Sequence, residues 1–342
     1  MLLGVTAAFG YVVVGFAAKP GPGGGKANAF VLREVDDLAA VSERLFRAGL
    51  LAQPRMFNLY LHLLGASNRL RQGTVMLRDN MTPRQLLQRI ATGYGSTVIR
   101  VTIPEGFDRF DISQRLAQWD IVDGRAFLAA TKDAKLLSSL GISAASAEGY
   151  LFPDTYQLQD QSEPRVVLEK LVRTAQSRVH KLVSNQAAPA WLQPLNFDER
   201  DILTLASIVE KEAAAPAEQP IIAGVFINRL LDPDFSPRRL QADPTVAYGC
   251  RETPELSSCA DFDGKHVLPS MLRDPSNVYN TYRHDGLPPG PICNPGLAAI
   301  RAVLSPARHH YFYFVAAGQG RHRFSETLMD HNQAIDTLRK LQ

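Results

Sequence analysis

The stretch of this chain best suited to chemistry places two glutamates beside an apolar helix face. Residues Leu205–Ala213 read LASIVEKEA, a pattern that predicts a helix. At about 100° per residue, the apolar face of this helix is formed by Ile202, Leu205, Ala206 and Val209. Glu210 and Glu212 each stack above apolar residues, whereas Lys211 points away from that face. Both carboxyl groups therefore begin in apolar surroundings.

Apolar surroundings disfavour the charged form of a carboxyl group, so they raise its pKa and suit it to donating a proton near neutral pH. A general acid is one interpretation of Glu210 and Glu212. The other is structural, either an interior ion pair or a solvated pair at the helix end. This segment by itself leaves both interpretations open.

Composition excludes some classes of protein. The chain has 342 residues, 45% of them hydrophobic and 21% charged, so it can bury a substantial core and form two or three domains. The net charge is only +3, and Lys and Arg are spread along the chain without a run. We therefore expect no nucleic acid partner.

Motifs for metals and cofactors are missing from the sequence. The three cysteines are too few and too irregularly spaced for a zinc module, and no pair of histidines has the helical spacing of a zinc enzyme. The glycine-rich segment 21–25 follows no predicted strand, so it is not a phosphate-binding loop. We expect neither a metal nor a cofactor.

The cysteines allow two interpretations. Cys250 and Cys259 could close a short disulfide loop in an oxidising compartment, which would leave Cys293 unpaired. Three reduced cysteines are the alternative.

The N-terminus has the composition of a membrane segment. Met1–Ala18 contains no charged residue, and as a helix it would span about 27 Å, close to the thickness of a bilayer core. We predict a single transmembrane anchor at residues 1–18. Residues 19–28, which include the run PGPGGGK, are predicted to be a flexible linker.

A weak repeat follows the linker. Several positions in Leu32–Leu50 recur at one fixed offset in Ile103–Ile121, and a partial third copy lies at Leu77–Ile90. Each copy predicts a short strand, an acidic turn and an amphipathic helix. We therefore predict an α+β fold with a small module at 29–96, a second strand–helix module with its connection at 97–160, and a mixed α+β catalytic domain at 161–342.

The composition of the chain beyond residue 233 predicts a cleft rich in loops. Half of the 22 prolines fall between Pro233 and Pro306, among aromatic and amide side chains. Sugar rings pack on aromatic faces, and their hydroxyls need fixed hydrogen-bond partners. The candidate substrate-binding residues are Asn228, Gln241, Asp243, Tyr279, Asn280 and Tyr282. The alternative is an elaborated surface with tyrosines in the core.

Six motifs in fixed order carry a resemblance to a known family. They are Glu148–Tyr156 (EGYLFPDTY), Leu205–Ala213 (LASIVEKEA), Val225–Leu230 (VFINRL), Leu240–Thr245 (LQADPT), Tyr279–Tyr282 (YNTY) and Gly286–Ile292 (GLPPGPI). The chain resembles the MltG or YceG-like family of endolytic murein transglycosylases over nearly its whole length. The resemblance implies an inner-membrane protein with a LysM-like module at 29–96 and a catalytic domain on the periplasmic or extracellular side. It also implies peptidoglycan strands as substrate, with peptidoglycan synthases as candidate partners.

The resemblance implies one reaction. A lytic transglycosylase cleaves the β-1,4 bond between N-acetylmuramic acid and N-acetylglucosamine and leaves a 1,6-anhydro end, with one carboxyl group as acid and then base. The resemblance favours Glu212 as this group, and the small residues that follow, Ala213–Ala215, leave room for a sugar. Glu210 is then a supporting acid bonded to a nearby polar side chain.

Two other functions fit the same features. A retaining muramidase would use Asp243 as a second carboxylate about 5 Å across the bond. A non-catalytic scaffold that binds peptidoglycan would need no acid in an apolar pocket.

Overall fold

The computed structural model describes residues 15–32, 36–66, 70, 73–92, 98–160, 162–184 and 190–339. The chain divides into two compact units, Met1–Val98 and Ile99–Gln342. Helices and short two-stranded sheets make up both units, so the predicted α+β class is confirmed. The predicted domain boundary between residues 160 and 161 lies inside the second unit.

The first unit is a strand, two helices, a strand and a helix. These are β1 (Ala27–Leu32), α1 (Leu38–Arg47), α2 (Pro54–Leu63), β2 (Gly73–Arg78) and α3 (Pro83–Thr92). The two strands pair antiparallel, with Ala27 opposite Arg78 and Leu32 opposite Gly73. Apolar side chains from all three helices and β2, among them Val41, Phe57, Leu77 and Leu86, are fully buried against one another and form the core of the unit.

The segment predicted as a linker, residues 19–28, is bonded to the turn that follows β2. The backbone N–H groups of Gly21 and Gly23 donate to the carbonyl oxygens of Asn80 and Asp79, at 3.2 and 2.9 Å. The Asp79 carboxylate also accepts from the N–H of Lys26, at 2.9 Å. The last two residues of the segment belong to β1.

Most of the predicted membrane helix, residues 1–14, lies outside the described residues. In the ranges that the structure describes, no helix combines the length and the apolar composition needed to span a bilayer.

The second unit is mostly helical. Its first half contains β3 (Val98–Thr102), α4 (Arg109–Gln118), α5 (Gly124–Ala130), α6 (Ala134–Ser139), β4 (Thr155–Gln159), α7 (Pro164–Ala175) and α8 (Lys181–Ser184). Its second half contains α9 (Glu199–Glu212), α10 (Gln219–Leu231), α11 (Asp243–Glu252), α12 (Pro269–Arg273), α13 (Leu297–Leu304), β5 (Tyr313–Gly318), β6 (Arg321–Ser325) and α14 (Leu328–Arg339). Strand β3 pairs with β4, and β5 pairs antiparallel with β6.

The predicted repeat is confirmed by the element bounds. The pairs β1–α1, β2–α3 and β3–α4 each consist of a short strand that is followed in sequence by a ten-residue helix. The sequence similarity between these segments therefore reflects a repeated strand–helix unit.

Helix α9 carries the two glutamates and is well defined at both ends. Asp198 caps its N-terminus, because its carboxylate accepts from the N–H of Asp201 at 2.8 Å while Asp201 accepts from the N–H of Asp198 at 3.2 Å. Every residue from Ile202 to Val209 is buried, since the helix packs against α10, α11 and α13. The helix ends at Glu212, and Ala213 is extended.

Candidate active site

The two glutamates of α9 have different neighbours. Residues two positions apart on a helix point to different sides of it, so Glu210 and Glu212 cannot share one environment. Both side chains are half-buried. Lys211 between them is exposed, as predicted, and its ammonium donates to the carbonyl oxygen of Gly106 at 3.3 Å.

The carboxyl group of Glu210 accepts two hydrogen bonds from other residues. Its Oε2 accepts from the backbone N–H of Gly296 at 3.3 Å and from the Nε2 of Gln219 at 3.5 Å. Burial raises the pKa of Glu210, and the nearby carboxylate of Glu105 raises it further. The structure thus gives Glu210 the polar side-chain partner that the sequence analysis expected.

The loop that contacts Glu210 is fixed by close packing. A Cβ at Gly296 would lie 2.0 Å from the Oε1 of Glu105, so a side chain at that position would require the Glu105 carboxyl group to move. Upstream in the same loop, the N–H of Ile292 donates to the Oγ of Ser207 on α9 at 2.9 Å. The loop is therefore attached to the same helix that carries the two acids.

Glu212 makes no hydrogen bond and no ion pair with any residue that the structure describes. Burial, and then the charge of Asp243, raise the pKa of Glu212 to about 7, while the charge of Arg229 opposes the increase. A carboxyl group with such a pKa is present in both protonation states near neutral pH. Glu212 is thus a free group that can give and take a proton, whereas Glu210 is bound on its Oε2.

Asp243, whose charge acts on Glu212, forms a hydrogen-bonded pair with Tyr282. Asp243 is the first residue of α11, and its Oδ1 accepts a hydrogen bond of 2.6 Å from the hydroxyl of Tyr282. Of the six predicted substrate-binding residues, these two interact electrostatically with Glu212.

Gln241 lies just upstream of this pair and has a strained backbone. Its φ is +53°, a left-handed conformation that only a few per cent of residues other than glycine adopt. Its N–H donates to the carbonyl oxygen of Thr281 at 3.1 Å, while its side chain is exposed. Strain of this kind is concentrated at functional sites, so the exposed amide remains a candidate ligand for substrate.

Two of the predicted binding residues have side-chain amides that form hydrogen bonds within the protein. The Nδ2 of Asn228 donates to the carbonyl oxygens of His309 and Tyr311, at 3.0 and 2.9 Å. Asn280 is fully buried, its Nδ2 donates to three carbonyl oxygens and its Oδ1 accepts from the N–H of Tyr282 at 3.0 Å. Both asparagines therefore hold loops in place.

Tyr279 has an intermediate position. Its ring packs edge-on against Tyr248, with 4.9 Å between ring centroids, and burial raises the pKa of its hydroxyl to about 12. The ring is half-buried, so part of its surface remains open to solvent.

Two buried charged residues near the site were not predicted from the sequence. Arg229 is buried in α10, and its charge acts on Glu212. Glu148 is buried as well and accepts from the Nδ2 of Asn294 at 2.8 Å and from the hydroxyl of Tyr248 at 3.1 Å. Each lies in one of the six motifs, VFINRL or EGYLFPDTY, and a charged residue within an apolar motif was the available signal.

Two of the three cysteines form a disulfide, the first of the two interpretations that the sequence allowed. Cys250 at the end of α11 forms a disulfide with Cys259, and Cys293 is free and buried. The disulfide ties α11, which begins with Asp243, to the loop that follows it.

Comparisons with known proteins agree with the motifs. The model of the YceG-like family matches residues 30–337. The chain is 27% identical to an endolytic murein transglycosylase of Bacillus subtilis (strain 168), over 87% of this chain and 81% of that protein. It is also 27% identical to an endolytic murein transglycosylase of Streptococcus pneumoniae serotype 2 (strain D39), over 98% of this chain but only 62% of the relative.

The fold has a solved counterpart too. A crystal structure of a yceG-like protein from Listeria monocytogenes superposes with a TM-score of 0.58 at 25% sequence identity, and covers 91% of this chain and 100% of that one. A family model that spans most of the chain, together with these relatives, confirms the resemblance seen in the motifs: this chain belongs to the YceG-like family.

Proposed function

We propose that this protein is an endolytic murein transglycosylase in which Glu212 transfers the proton. The name of the Bacillus subtilis relative supports the reaction class. The observation that carries the assignment of Glu212 is its state: a half-buried carboxyl group with no bond to the protein and a pKa raised to about 7. Such a group can serve as acid and base in one cycle.

The reaction needs one proton donor and no added water. Protonated Glu212 gives its proton to the oxygen that links C1 of N-acetylmuramic acid to N-acetylglucosamine, and the C1–O bond breaks. The 6-hydroxyl of the same muramyl residue then bonds to C1, and the Glu212 carboxylate takes the hydroxyl proton. The products are a 1,6-anhydromuramyl end and a free N-acetylglucosamine end, and Glu212 is protonated again.

The neighbours of Glu212 divide into supporting and binding residues. Glu210 holds the loop of Gly296 and the side chain of Gln219 against the helix end. We assign the exposed amide of Gln241 and the half-buried rings of Tyr282 and Tyr279 to substrate binding, because amides bond acetamido groups and rings pack on sugar faces.

A second candidate reaction has one observation in its favour. Asp243 acts on Glu212 through its charge, and two facing carboxylates are the requirement of a retaining muramidase. In that reaction Asp243 would attack C1 and water would release the sugar, which leaves a reducing end.

The experiment is digestion of uncrosslinked glycan strands by the purified protein, followed by mass spectrometry of the products. Anhydromuramyl ends with both fragments longer than a disaccharide support the endolytic transglycosylase. Reducing muramyl ends point to the muramidase, and binding without cleavage would leave a peptidoglycan-binding scaffold.

We also propose that the catalytic unit lies outside the plasma membrane, anchored by residues 1–18. The uncharged apolar N-terminus supports an anchor, and the disulfide between Cys250 and Cys259 suits an oxidising compartment. In this location it would meet nascent strands beside peptidoglycan synthases. Protease added to spheroplasts should digest the C-terminal unit, and protection of that unit would contradict the proposed topology.

The first unit is proposed to be the LysM-like module. The order of β1, α1, α2 and β2, with the strands paired antiparallel, is a compact arrangement that suits a role in binding glycan chains or in positioning the catalytic unit. Pull-down with insoluble peptidoglycan, with and without substitutions in this unit, tests the binding role.

A further inference from the structure

The hairpin of β5 and β6 is docked on the segment that follows Glu212. The backbone N–H of His322 on β6 donates to the Oε1 of Glu218 at 3.1 Å, and the Nδ1 of His322 lies 2.8 Å from the Oε2 of the same carboxylate. Both side chains are largely buried, with 11% of the His322 side chain and 15% of the Glu218 side chain exposed. Glu218 ends the turn Pro216–Glu218, which leads from α9 to α10. The hairpin is thus bonded to the short connection between these two helices.

The turn of the hairpin contacts the chain next to the acid. A Cβ at Gly320 would lie 3.5 Å from the Cβ of Ala214, which is the second residue after Glu212. Two residues of chain span at most about 7 Å, so the turn borders the end of α9 that carries the proton donor. Behind the turn, Phe314 on β5 packs edge-on against the buried ring of Phe226 on α10, with 5.8 Å between ring centroids. One face of the hairpin therefore packs on the catalytic unit.

The other face of the hairpin carries two free cations. Side chains alternate along a strand. On β6, Phe324 packs on the core and His322 bonds Glu218, so Arg321 and Arg323 point to the opposite face. Both arginines are exposed, and neither guanidinium forms a hydrogen bond or an ion pair with any residue that the structure describes. The two side chains start about 7 Å apart, because they are two residues apart on one strand.

Carboxylates are the groups that such a pair of guanidinium groups recognises. A guanidinium presents parallel N–H donors that match the two oxygens of a carboxylate. Within the protein, the carboxylate of Glu218 is engaged by His322 and forms no salt bridge with either arginine. The proposed substrate supplies carboxylates, because an uncrosslinked peptide that is joined to a muramyl residue through its N-terminus ends in a free carboxyl group.

We propose that Arg321 and Arg323 bind carboxylates of the peptides carried by the glycan strand that Glu212 cleaves. This inference rests on the proposed transglycosylase function, because the strand must lie at Glu212 for its peptides to reach the hairpin. Phosphates of an anionic membrane would attract the same two arginines. The contact between the hairpin turn and Ala214 favours the peptides, because it places this strand next to the acid.

The test compares two kinds of uncrosslinked strand, native strands and strands whose carboxyl groups have been converted to methylamides. The conversion removes the negative charges and keeps both the peptides and the glycan. The full-length wild-type protein should cleave the native strands with a kcat/KM about tenfold higher, since each exposed charge pair contributes a factor of about three. This ratio should approach one at about 0.5 M salt, because salt screens exposed charges.

Substitutions in β6 should change the ratio according to charge. The double variant Arg321→Gln and Arg323→Gln should lose the preference, mainly through a higher KM for native strands. Arg321→Lys with Arg323→Lys keeps both charges and should retain most of it, whereas Arg321→Glu with Arg323→Glu should invert it. The matched control is Arg125→Gln on α5, an exposed arginine outside the hairpin, which should show the wild-type ratio.

Three results would overturn the inference. The first is a wild-type protein that cleaves both kinds of strand equally well, and the second is a double glutamine variant that keeps the wild-type ratio. The third concerns vesicles that contain phosphatidylglycerol. If the double glutamine variant loses binding to these vesicles while its ratio for strands stays unchanged, the arginines face a membrane.

Binding measurements separate this inference from the proposed function. If the wild-type protein cleaves neither kind of strand, or if Glu212→Gln is as active as wild type, the proposed function fails. Calorimetric titration with soluble native and methylamidated strands then measures the preference without cleavage. An affinity for native strands that the double glutamine variant lowers about tenfold supports the peptide site, and equal affinities of wild type and variant overturn it.

Discussion

The hydroxyl of Tyr282 donates a hydrogen bond of 2.6 Å to the Oδ1 of Asp243, whose charge raises the pKa of Glu212. Burial and the Asp243 carboxylate both raise the pKa of the Tyr282 hydroxyl, so it keeps its proton and remains a donor. The bond fixes one oxygen of Asp243 at the start of α11 and leaves the other, Oδ2, without a tyrosine partner. A charge held in this way can act steadily on Glu212.

Removal of the Tyr282 hydroxyl should affect activity more than stability. In Tyr282→Phe the ring stays, but Asp243 loses its bond, so we expect a loss of about fivefold to tenfold in kcat and about 1 kcal/mol in the free energy of unfolding. Assays of strand cleavage and urea unfolding measure the two effects. Tyr279→Phe is the matched control, because no described residue bonds the Tyr279 hydroxyl. Equal loss of kcat in both variants would contradict a specific role of the pair.

The two glutamates of α9 should respond differently to the same substitution. Glu212→Gln keeps the shape of the side chain but cannot donate its proton, so cleavage should fall by about 10² or more while glycan binding persists. Glu210→Gln keeps an oxygen for the N–H of Gly296, so activity should stay within about threefold, with a loss of about 1 kcal/mol in stability. If Glu210→Gln is folded and inactive while Glu212→Gln is active, the roles are reversed.

The raised pKa of Glu212 should make the free energy of unfolding depend on pH. Its pKa of about 7 in the folded state exceeds the value of about 4.3 for an unfolded chain, so its contribution is most favourable below pH 4 and is lost as the pH rises towards 7. Gln at position 212 does not titrate. The free energy of unfolding of Glu212→Gln minus that of wild type should therefore increase by about 1 to 3 kcal/mol between pH 4 and pH 8.

Denaturant unfolding of both proteins at several pH values measures this difference. Because Glu148 and Asp108 also have raised pKa values, about 8 and about 6, only the difference between the two proteins isolates Glu212. A difference that does not change with pH would mean that Glu212 has an ordinary pKa.

Two substitutions of Gln241, whose backbone is strained, should distinguish its role in substrate binding from its effect on stability. Gln241→Gly permits the φ of +53° without strain but removes the amide, so we expect a gain of about 1 kcal/mol in stability together with a several-fold rise in KM. Gln241→Ala removes the amide and keeps the strain, so KM should rise equally without the gain. Wild-type KM in both variants would remove Gln241 from the binding site.

The disulfide should contribute measurably to folding. It links residues nine positions apart, and a loop of this size is worth roughly 2 to 3 kcal/mol in a chain-entropy model. The double substitution Cys250→Ser and Cys259→Ser should lower the free energy of unfolding by this amount. Wild type should lose the same stability in reducing agent and the double variant none. Denatured, unreduced protein should show one free thiol, from Cys293, and three would exclude the bridge.

The local features of the site were determined by the sequence alone. The period of apolar residues predicts α9 and places Glu210 and Glu212 beside its buried stripe, and residues 202–209 are indeed buried. The repeat predicts the strand–helix pairs, because the strand and helix patterns can each be read from residues close in the chain. The spacing of Cys250 and Cys259 allowed a disulfide for the same reason.

Only the tertiary structure decided which acid is free. Glu210 and Glu212 have the same residue type and similar apolar neighbours on their own helix, and what separates them is the N–H of Gly296, which lies 86 residues away in sequence. Likewise, the side-chain amide of Asn228 donates hydrogen bonds to carbonyl oxygens that lie 81 and 83 residues further along the chain. Whether a polar group has a hydrogen-bond partner depends on distant segments that folding brings next to it. Helix periodicity contains no information about those partners, so the sequence alone could not distinguish a bound side chain from an available one.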